Sequence, residues 1–302
     1  MIALVTGAAG FLGRYVARAA AEHGYQVIGL GHNAGREDMR TWGLSAWQEG
    51  DVTLEALQSI GGDVDVVFHC AGGASVALSM QNPIADFSRT VEASLAVLEF
   101  ARTAPRPVRV VIPSSAAVYG AVEDMPIRIS SPSNPASPYG VHKKMVEDLC
   151  QSYSKYYDVE SSIVRLFSVY GQGLKKQLLW DASHKILAGD TVFAGTGLET
   201  RDWLHVEDAA QLLLAAAPRA SRACPTVNGG SGESVAVRDI ICCLAEQLGG
   251  TETPSFTGTT RSGDPLHYQA DISQALAWDW KPIWHWRDGV KAYADWFRDT
   301  RK

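Results

Sequence analysis

The residues of this 302-residue chain best suited to chemistry are Tyr139 and Lys143. In a helical stretch their four-residue separation places them on one face, one turn apart. A phenol, with a pKa of about 10, is a poor base at neutral pH, but a neighbouring ammonium favours phenolate and can draw that value down. Such a pair suits proton exchange with an alcohol. Ser115, at the end of a Val- and Ile-rich run, adds a hydroxyl that donates and accepts and can orient the same oxygen. Tyr and Lys also occur at this spacing where the ring only packs and the lysine snorkels, so the surrounding elements must decide.

The N-terminal element supplies a second chemistry. The apolar run Ile2 to Val5 ends in Thr6-Gly7-Ala8-Ala9-Gly10-Phe11-Leu12-Gly13 and passes into an Ala-rich amphipathic segment reaching His23. This reads as strand, glycine turn, helix. Gly7 permits the turn, Gly10 lets backbone N–H groups approach a pyrophosphate, and Gly13 lets the helix lie close on the sheet, with the positive end of its dipole toward the anion. The second strand, Tyr25 to Leu30, ends in Gly31-His32-Asn33, where dinucleotide folds usually present an acid to the adenosine ribose. With no acid there, and with His32, Arg36 and Arg14 in reach of a 2′-phosphate, the cofactor expectation is NAD(P), leaning to NADP.

Further strand-like runs, Val64 to Cys70, Val108 to Ile112 and Ser161 to Phe167, are almost continuously apolar, as a parallel sheet covered on both faces requires. The fold expected is α/β, a Rossmann-type doubly wound parallel sheet with a smaller C-terminal substrate-binding lobe. The expected cofactor domain covers residues 1–165, the segment about 202–227 returns to it, and the rest of 166–302 forms the lobe. The net charge of −6, with no basic cluster, argues against nucleic acid or an anionic membrane. No apolar run approaches the ~20 residues of a spanning helix, no secretory signal precedes Ile2 and the five cysteines form no CxxC pair, so a cytoplasmic protein with reduced thiols and no metal is expected.

Taken together, the chain resembles the extended short-chain dehydrogenase/reductase family, in its NAD-dependent epimerase/dehydratase branch acting on nucleotide sugars. The resemblance rests on Thr6-Gly7 through Gly13, Gly50-Asp51-Val52, His69 to Gly72, Ser114 to Gly120, Tyr139 to Lys143, Arg165 through Gly171, and Arg201 to Asp208. It implies Tyr139 as acid/base, Lys143 on the nicotinamide ribose and Ser115 as their partner. Asp51 and Val52 are implied at the adenine, and Ala71, Gly72 and Ser114 along the cofactor. It further implies Arg201 and Arg261 on a substrate pyrophosphate, Asp264 near the nucleoside ribose, Phe193 and Val192 flanking the base, and Ser168 and Tyr268 lining the sugar site. The helices after Pro83 and Tyr139 resemble those that form a dimer interface in the family, so a homodimer is expected.

The chain departs from the family at Gly31, which replaces the usual acid, at Ala74 and Thr90 in place of Lys and Asn, and at Ser168 in place of Asn. Ala116 and Ala117 stand where sugar 4,6-dehydratases carry an Asp-Glu pair, which argues against dehydration. The leading expectation is a UDP-hexose 4-epimerase: Tyr139 takes the C4 hydroxyl proton as the C4 hydride leaves, and a transient 4-keto sugar turns before hydride returns to its other face. The bulk of Tyr268 favours a simple hexose over an N-acetylated one. The alternatives are an NADPH-dependent nucleotide-4-keto-sugar reductase and a noncatalytic NADP-binding regulatory protein.

Overall fold

A computed structural model describes the chain apart from residues 62, 251, 260–265 and 302 and the side chains of residues 36 and 37. In chain order the strands are β1 (Ile2–Thr6), β2 (Gln26–Gly31), β3 (Leu44–Glu49), β4 (Val66–His69), β5 (Arg109–Ser115), β6 (Ser161–Leu166), β7 (Ser168–Tyr170), β8 (Val192–Phe193), β9 (Thr200–Arg201), β10 (Trp203–His205), β11 (Thr226–Gly229), β12 (Val235–Ala236) and β13 (Ser255–Phe256). The helices are α1 (Phe11–Glu22), α2 (Arg36–Thr41), α3 (Leu54–Ile60), α4 (Val76–Gln81), α5 (Pro83–Phe87), α6 (Ala93–Thr103), α7 (Pro138–Tyr157), α8 (Gln177–Leu187), α9 (Val206–Ala216), α10 (Val237–Leu248), α11 (Ser273–Leu276) and α12 (Trp286–Asp299). A single π-helical turn, Ser88–Glu92, joins α5 to α6.

Seven strands form one sheet in the order β11-β6-β5-β4-β1-β2-β3, every pair parallel. The chain runs outward from β1 through β2 to β3, then crosses back to β4 on the other side of β1. Ligands of such sheets bind at the carboxyl ends of the strands flanking that reversal. The alternation within β1 shows why both faces are covered. Ala3 and Val5 join a core with Val16 and Ala17 of α1 and Leu212 and Leu213 of α9. Leu4 points the other way, to Leu57 of α3, Leu98 of α6 and Val146 of α7. Each fully buried Leu or Val stabilises the sandwich by about 1.5–3 kcal/mol.

The segment after β10 rejoins this sheet: α9 packs beside α1, and β11 pairs in register with β6, Val227 opposite Val164. A separate apolar cluster gathers Leu179 of α8, Ile240 and Leu244 of α10, and Val290, Tyr293 and Phe297 of α12. Between β9 and β10 the buried Asp202 carboxylate ties in the segment after β11, accepting from the Gly232 amide at 3.0 Å, and the segment at Ala270, accepting from its amide at 3.0 Å. Among the described residues no helix is long and apolar enough to cross a membrane.

Candidate active site

One cavity of about 1140 Å³ opens along the carboxyl edge of β1, β4 and β5 and continues toward the C-terminal cluster. Its floor is the glycine turn. Gly7 leaves β1 at φ +64°, and a Cβ there would stand 2.7 Å from the Ala71 amide nitrogen. A Cβ on Gly13 would stand 2.1 Å from the Gly7 carbonyl oxygen, so only glycine lets α1 lie this close to the turn. Gly10, Phe11, Leu12 and Gly13 all line the cavity. The first-turn N–H groups of α1, unpaired within any helix, therefore open onto it with the positive end of the helix dipole. Backbone this bare at a helix N-terminus fits a dinucleotide's pyrophosphate.

A buried relay shapes the facing loop. The Ala71 amide donates to Thr6 Oγ1 at 3.2 Å, Thr6 Oγ1 meets His69 Nδ1 at 2.7 Å, His69 Nε2 meets Ser94 Oγ at 3.1 Å, and Ser94 donates to the Thr90 carbonyl at 2.6 Å. Because Ser94 spends its proton on Thr90, His69 must donate from Nε2 and accept at Nδ1, so it is neutral. Burial, with the Lys143 charge nearby, holds its pKa down at about 3. Thr90, presented by the π turn, also accepts from the Gly73 amide at 2.9 Å. Ala71 and Gly72 are thereby held against the cavity.

Tyr139, Lys143, Ser114 and Ser115 line the same wall. Ser137 starts α7 by accepting from the Gly140 amide at 3.2 Å, Pro138 occupies the first turn, and Tyr139 follows at the cavity. Gly140 packs against the Ala117 carbonyl, where a Cβ would come within 2.5 Å. Ser115 terminates β5, and its hydroxyl lies close enough to the Tyr139 phenol to favour the ionised form.

The expected lowering of the Tyr139 pKa by Lys143 is not what the structure shows. The phenol is raised, first because its surroundings are dry and further because Asp86 lies nearby; Ser115 only partly offsets this. Lys143 Nζ donates to the Pro113 carbonyl at 3.0 Å and stands 5.9 Å from the centre of the Tyr139 ring, so its charge serves the strand end more than the phenol oxygen. Burial in turn lowers Lys143.

At the other end of the sheet edge, His32, Asn33, Asp51 and Val52 cluster beyond β2 and β3, with His32, Asn33 and Asp51 exposed. His32 Nε2 lies 2.9 Å from Asp51 and its Nδ1 3.6 Å from Glu49, while the Asn33 amide donates to Glu49 at 3.1 Å. The lean to NADP finds no support here. Glu49, level with Gly31 in the sheet, supplies the negative charge that the end of β2 lacks. Arg14 donates to the Gln172 carbonyl at 3.1 Å and packs on Gly173. The Arg36 side chain lies outside the described residues.

On the substrate side, Ser168, Phe193, Arg201 and Tyr268 line the cavity. The Tyr268 hydroxyl donates to the Gly120 carbonyl at 2.7 Å, which fixes its ring as a wall, and the Arg201 guanidinium sits 5.9 Å from that ring. Val192 is exposed and does not line the cavity. Arg261 and Asp264 lie outside the described residues. Three features escaped the sequence reading. Ser79 of α4, fully buried, accepts from the Tyr139 amide at 3.1 Å. Lys176, a partly desolvated cation, lines the cavity. Asp86 and His142 form a buried pair at 2.6 Å beside Tyr139. None of these stands at a spacing that marks it in the chain.

A doubly wound sheet with a glycine-turn cradle and a Tyr/Lys/Ser wall at its switch point defines a dinucleotide-binding α/β protein equipped for proton transfer. The chain belongs to the NAD dependent epimerase/dehydratase family, whose model matches residues 3–228. It is 32% identical to a UDP-glucose 4-epimerase of Azospirillum brasilense, over 91% of this chain and 86% of the relative. Among solved structures it resembles the UDP-glucose 4-epimerase of Thermotoga maritima with UDP-glucose, at a TM-score of 0.90 and 26% identity over 100% of both chains. It also resembles the UDP-glucuronic acid 4-epimerase of Bacillus cereus in complex with UDP-glucuronic acid and NAD, at a TM-score of 0.88 and 25% identity over 99% of this chain and 100% of the other.

Proposed function

We propose that this protein is a NAD-dependent nucleotide-sugar 4-epimerase whose substrates are UDP-hexoses. The observation that carries the reading is the placement of Tyr139, Ser115 and Lys143 on one wall of the cavity floored by Gly10 to Gly13. The cofactor, when bound, supplies hydride exchange at the sugar carbon and, in its oxidised form, a positive ring. Gly7, Gly10, Phe11, Leu12 and Gly13 would hold its pyrophosphate, Ala71, Gly72 and Ser114 would flank it, and Asp51, Val52, His32 and Asn33 would receive its adenosine end. Glu49 and Asp51 favour NAD, because two carboxylates repel a 2′-phosphate.

Tyr139 exchanges the C4 hydroxyl proton, and Ser115 hydrogen-bonds the same oxygen to orient it. The raised phenol pKa makes Tyr139 a competent acid when the proton returns, and positive charge arriving with the cofactor offsets the cost of the phenolate. Lys143, tied to Pro113, would hold the nicotinamide ribose of the bound cofactor. Arg201 pairs with a substrate pyrophosphate, Phe193 borders the base, and Ser168 and Tyr268 bound the sugar. Ala116 and Ala117 offer no carboxylates for eliminating water, which supports epimerisation over dehydration. The reductase reading draws its strength from a 2′-phosphate site, and among the described residues the cluster around His32 sets two carboxylates, Glu49 and Asp51, there.

The test is interconversion of UDP-glucose and UDP-galactose with no net change in reduced-nicotinamide absorbance. Net NADPH consumption with a keto sugar would refute the reading. We also infer a homodimer through the helices around α7, because Ile84 of α5, Leu95 of α6, and Val141 and Met145 of α7 are exposed apolar side chains. Sedimentation at the mass of one chain would overturn this.

A further inference from the structure

The reacting wall of the cavity has a charged layer behind it that the mechanism above does not use. Asp86 lies in α5 and His142 on α7, three residues after Tyr139 and one before Lys143. Both are buried, at 6% and 8% exposure, and Asp86 Oδ2 lies 2.6 Å from His142 Nδ1. The edge of the Phe87 ring covers the imidazole at 5.5 Å between centres. The carboxylate reaches this position because residue 73 is glycine. A Cβ there would stand 2.0 Å from Asp86 Oδ1, and Gly73 itself lines the cavity next to Gly72. A carboxylate buried against the backbone of a cavity-lining residue costs desolvation that an electrostatic return must offset.

We propose that Asp86 and His142 form a buried positioning pair for Tyr139 and Lys143, placing one carboxylate charge behind the reacting wall and setting the pH at which the phenol releases its proton. The other ionisable groups around these two are Cys70 and His69 from the β4 end and Glu147 from the next turn of α7. Burial holds the Cys70 thiol up at about 12 and His69 is neutral, so neither carries charge near pH 7. Glu147 is spent on Arg165, which it meets at 2.7 Å, leaving Asp86 to act on both reacting groups. Its negative charge favours the protonated form of each: it keeps the Tyr139 proton in place and Lys143 cationic. His142, donating to the carboxylate, moderates that charge and fixes its direction.

The proposal rests on Tyr139 as the proton-transfer group, and it is tested by a readout that needs no turnover. The ionisation of Tyr139 is followed in the cofactor-loaded protein as tyrosinate absorbance, the Tyr139→Phe protein serving as the blank in each background. Asp86→Asn keeps the shape of the side chain and removes its charge. It is expected to move the midpoint down by at least about 0.5 pH unit, a threefold change in proton affinity, and the acidic limb of kcat moves with it. His142→Gln, which leaves the carboxylate charged, is expected to move the midpoint up or leave it in place. An unmoved midpoint in folded Asp86→Asn overturns the proposal and leaves the epimerase reading standing. A downward shift in both variants also overturns it, since that marks loosened packing. If Asp86→Asn fails to fold, His142→Gln decides alone, a downward shift again overturning the proposal. A shifted midpoint without turnover of any nucleotide sugar supports the pair and sinks the epimerase reading instead.

Discussion

The two ends of the cleft handle charge in opposite ways. At the end holding Tyr139, ionisable groups are buried and held by fixed partners: Glu147 by Arg165 and Ser114, Asp86 by His142, Lys143 by the Pro113 carbonyl. At the end holding His32, Glu49 and Asp51 the charges are more than half exposed and are shared loosely among three side chains. Desolvation governs the first end, so removing a partner there changes proton affinities and folding. Solvent screens the second, so a substitution there changes only which ligands are tolerated. The lesson is that reactivity is built where water is excluded and selectivity where it is not.

The comparison is tested most severely by Tyr139→Phe. Deleting the phenol oxygen is expected to lower kcat about 10³-fold or more while cofactor and nucleotide-sugar affinities stay within a few-fold, because a positioned acid/base contributes about 10²–10⁴. Single-turnover rates and equilibrium binding separate the two quantities. An unchanged kcat would remove Tyr139 from the mechanism. Next in size is Glu147→Ala. It strands Arg165, which is buried and also packs its guanidinium 4.7 Å from the centre of the Tyr119 ring. Breaking such a pair costs about 3–5 kcal/mol, read as a large fall in the denaturant midpoint. His32→Ala, its exposed counterpart, is expected to leave that midpoint in place.

Acid stability should follow the buried end. His69 and His205 are held neutral, at about 3 and about 4, chiefly by burial. Unfolding frees them to take protons below about 6.5, so the unfolded chain binds more protons than the folded one between that value and the folded pKa. Stability is therefore fully present above pH 6.5 and is lost as pH falls toward 4 and then 3. Thermal unfolding at pH 7 and pH 5 checks this: the melting temperature should drop, and His69→Gln should flatten the drop. A melting temperature independent of pH across this range would contradict the neutral assignment.

The sequence made the buried frame legible and left the electrostatics obscure. Apolar runs at β1, β4, β5 and β6, and the glycines at 7, 10 and 13, disclose the sheet and the cradle because periodicity and steric need act on neighbouring residues. Tyr139 and Lys143 are legible for the same reason, a helical spacing. Asp86 and His142, 56 residues apart, meet only because α5 packs on α7, and no local pattern announces that. The expected effect of Lys143 on Tyr139 failed similarly: spacing gives proximity, while the direction of the shift depends on how dry the site is and where the ammonium points. The NADP lean, drawn from the missing acid at the end of β2 and from His32, Arg36 and Arg14, finds no support because it left the neighbouring strand out. The acid it sought arrives on β3, paired with β2 by the sheet.

That last point yields the smallest and most specific prediction. Glu49 is held below the ordinary carboxylate range by the Trp47 indole, which donates to it at 2.8 Å, and by the Asn33 amide. It is thus charged at any working pH, level with Gly31, where a 2′-phosphate would arrive. His32, raised chiefly by its bond to Asp51, sits between the two carboxylates and cancels part of one charge. Glu49→Gln keeps the size and shape of the side chain and deletes the repulsion, while its single amide oxygen retains only one of the two donors, the Trp47 indole or the Asn33 amide. NADP affinity should rise about fivefold with NAD affinity nearly constant, since one exposed charge a few ångströms away acts through high-dielectric solvent. The same reasoning requires the gain to shrink as salt is raised, whereas a gain from new contacts would persist. Calorimetric titration of both cofactors at low and high ionic strength distinguishes the two, and an NADP affinity unaffected by Glu49→Gln at low salt would move the selective charge elsewhere on the cleft.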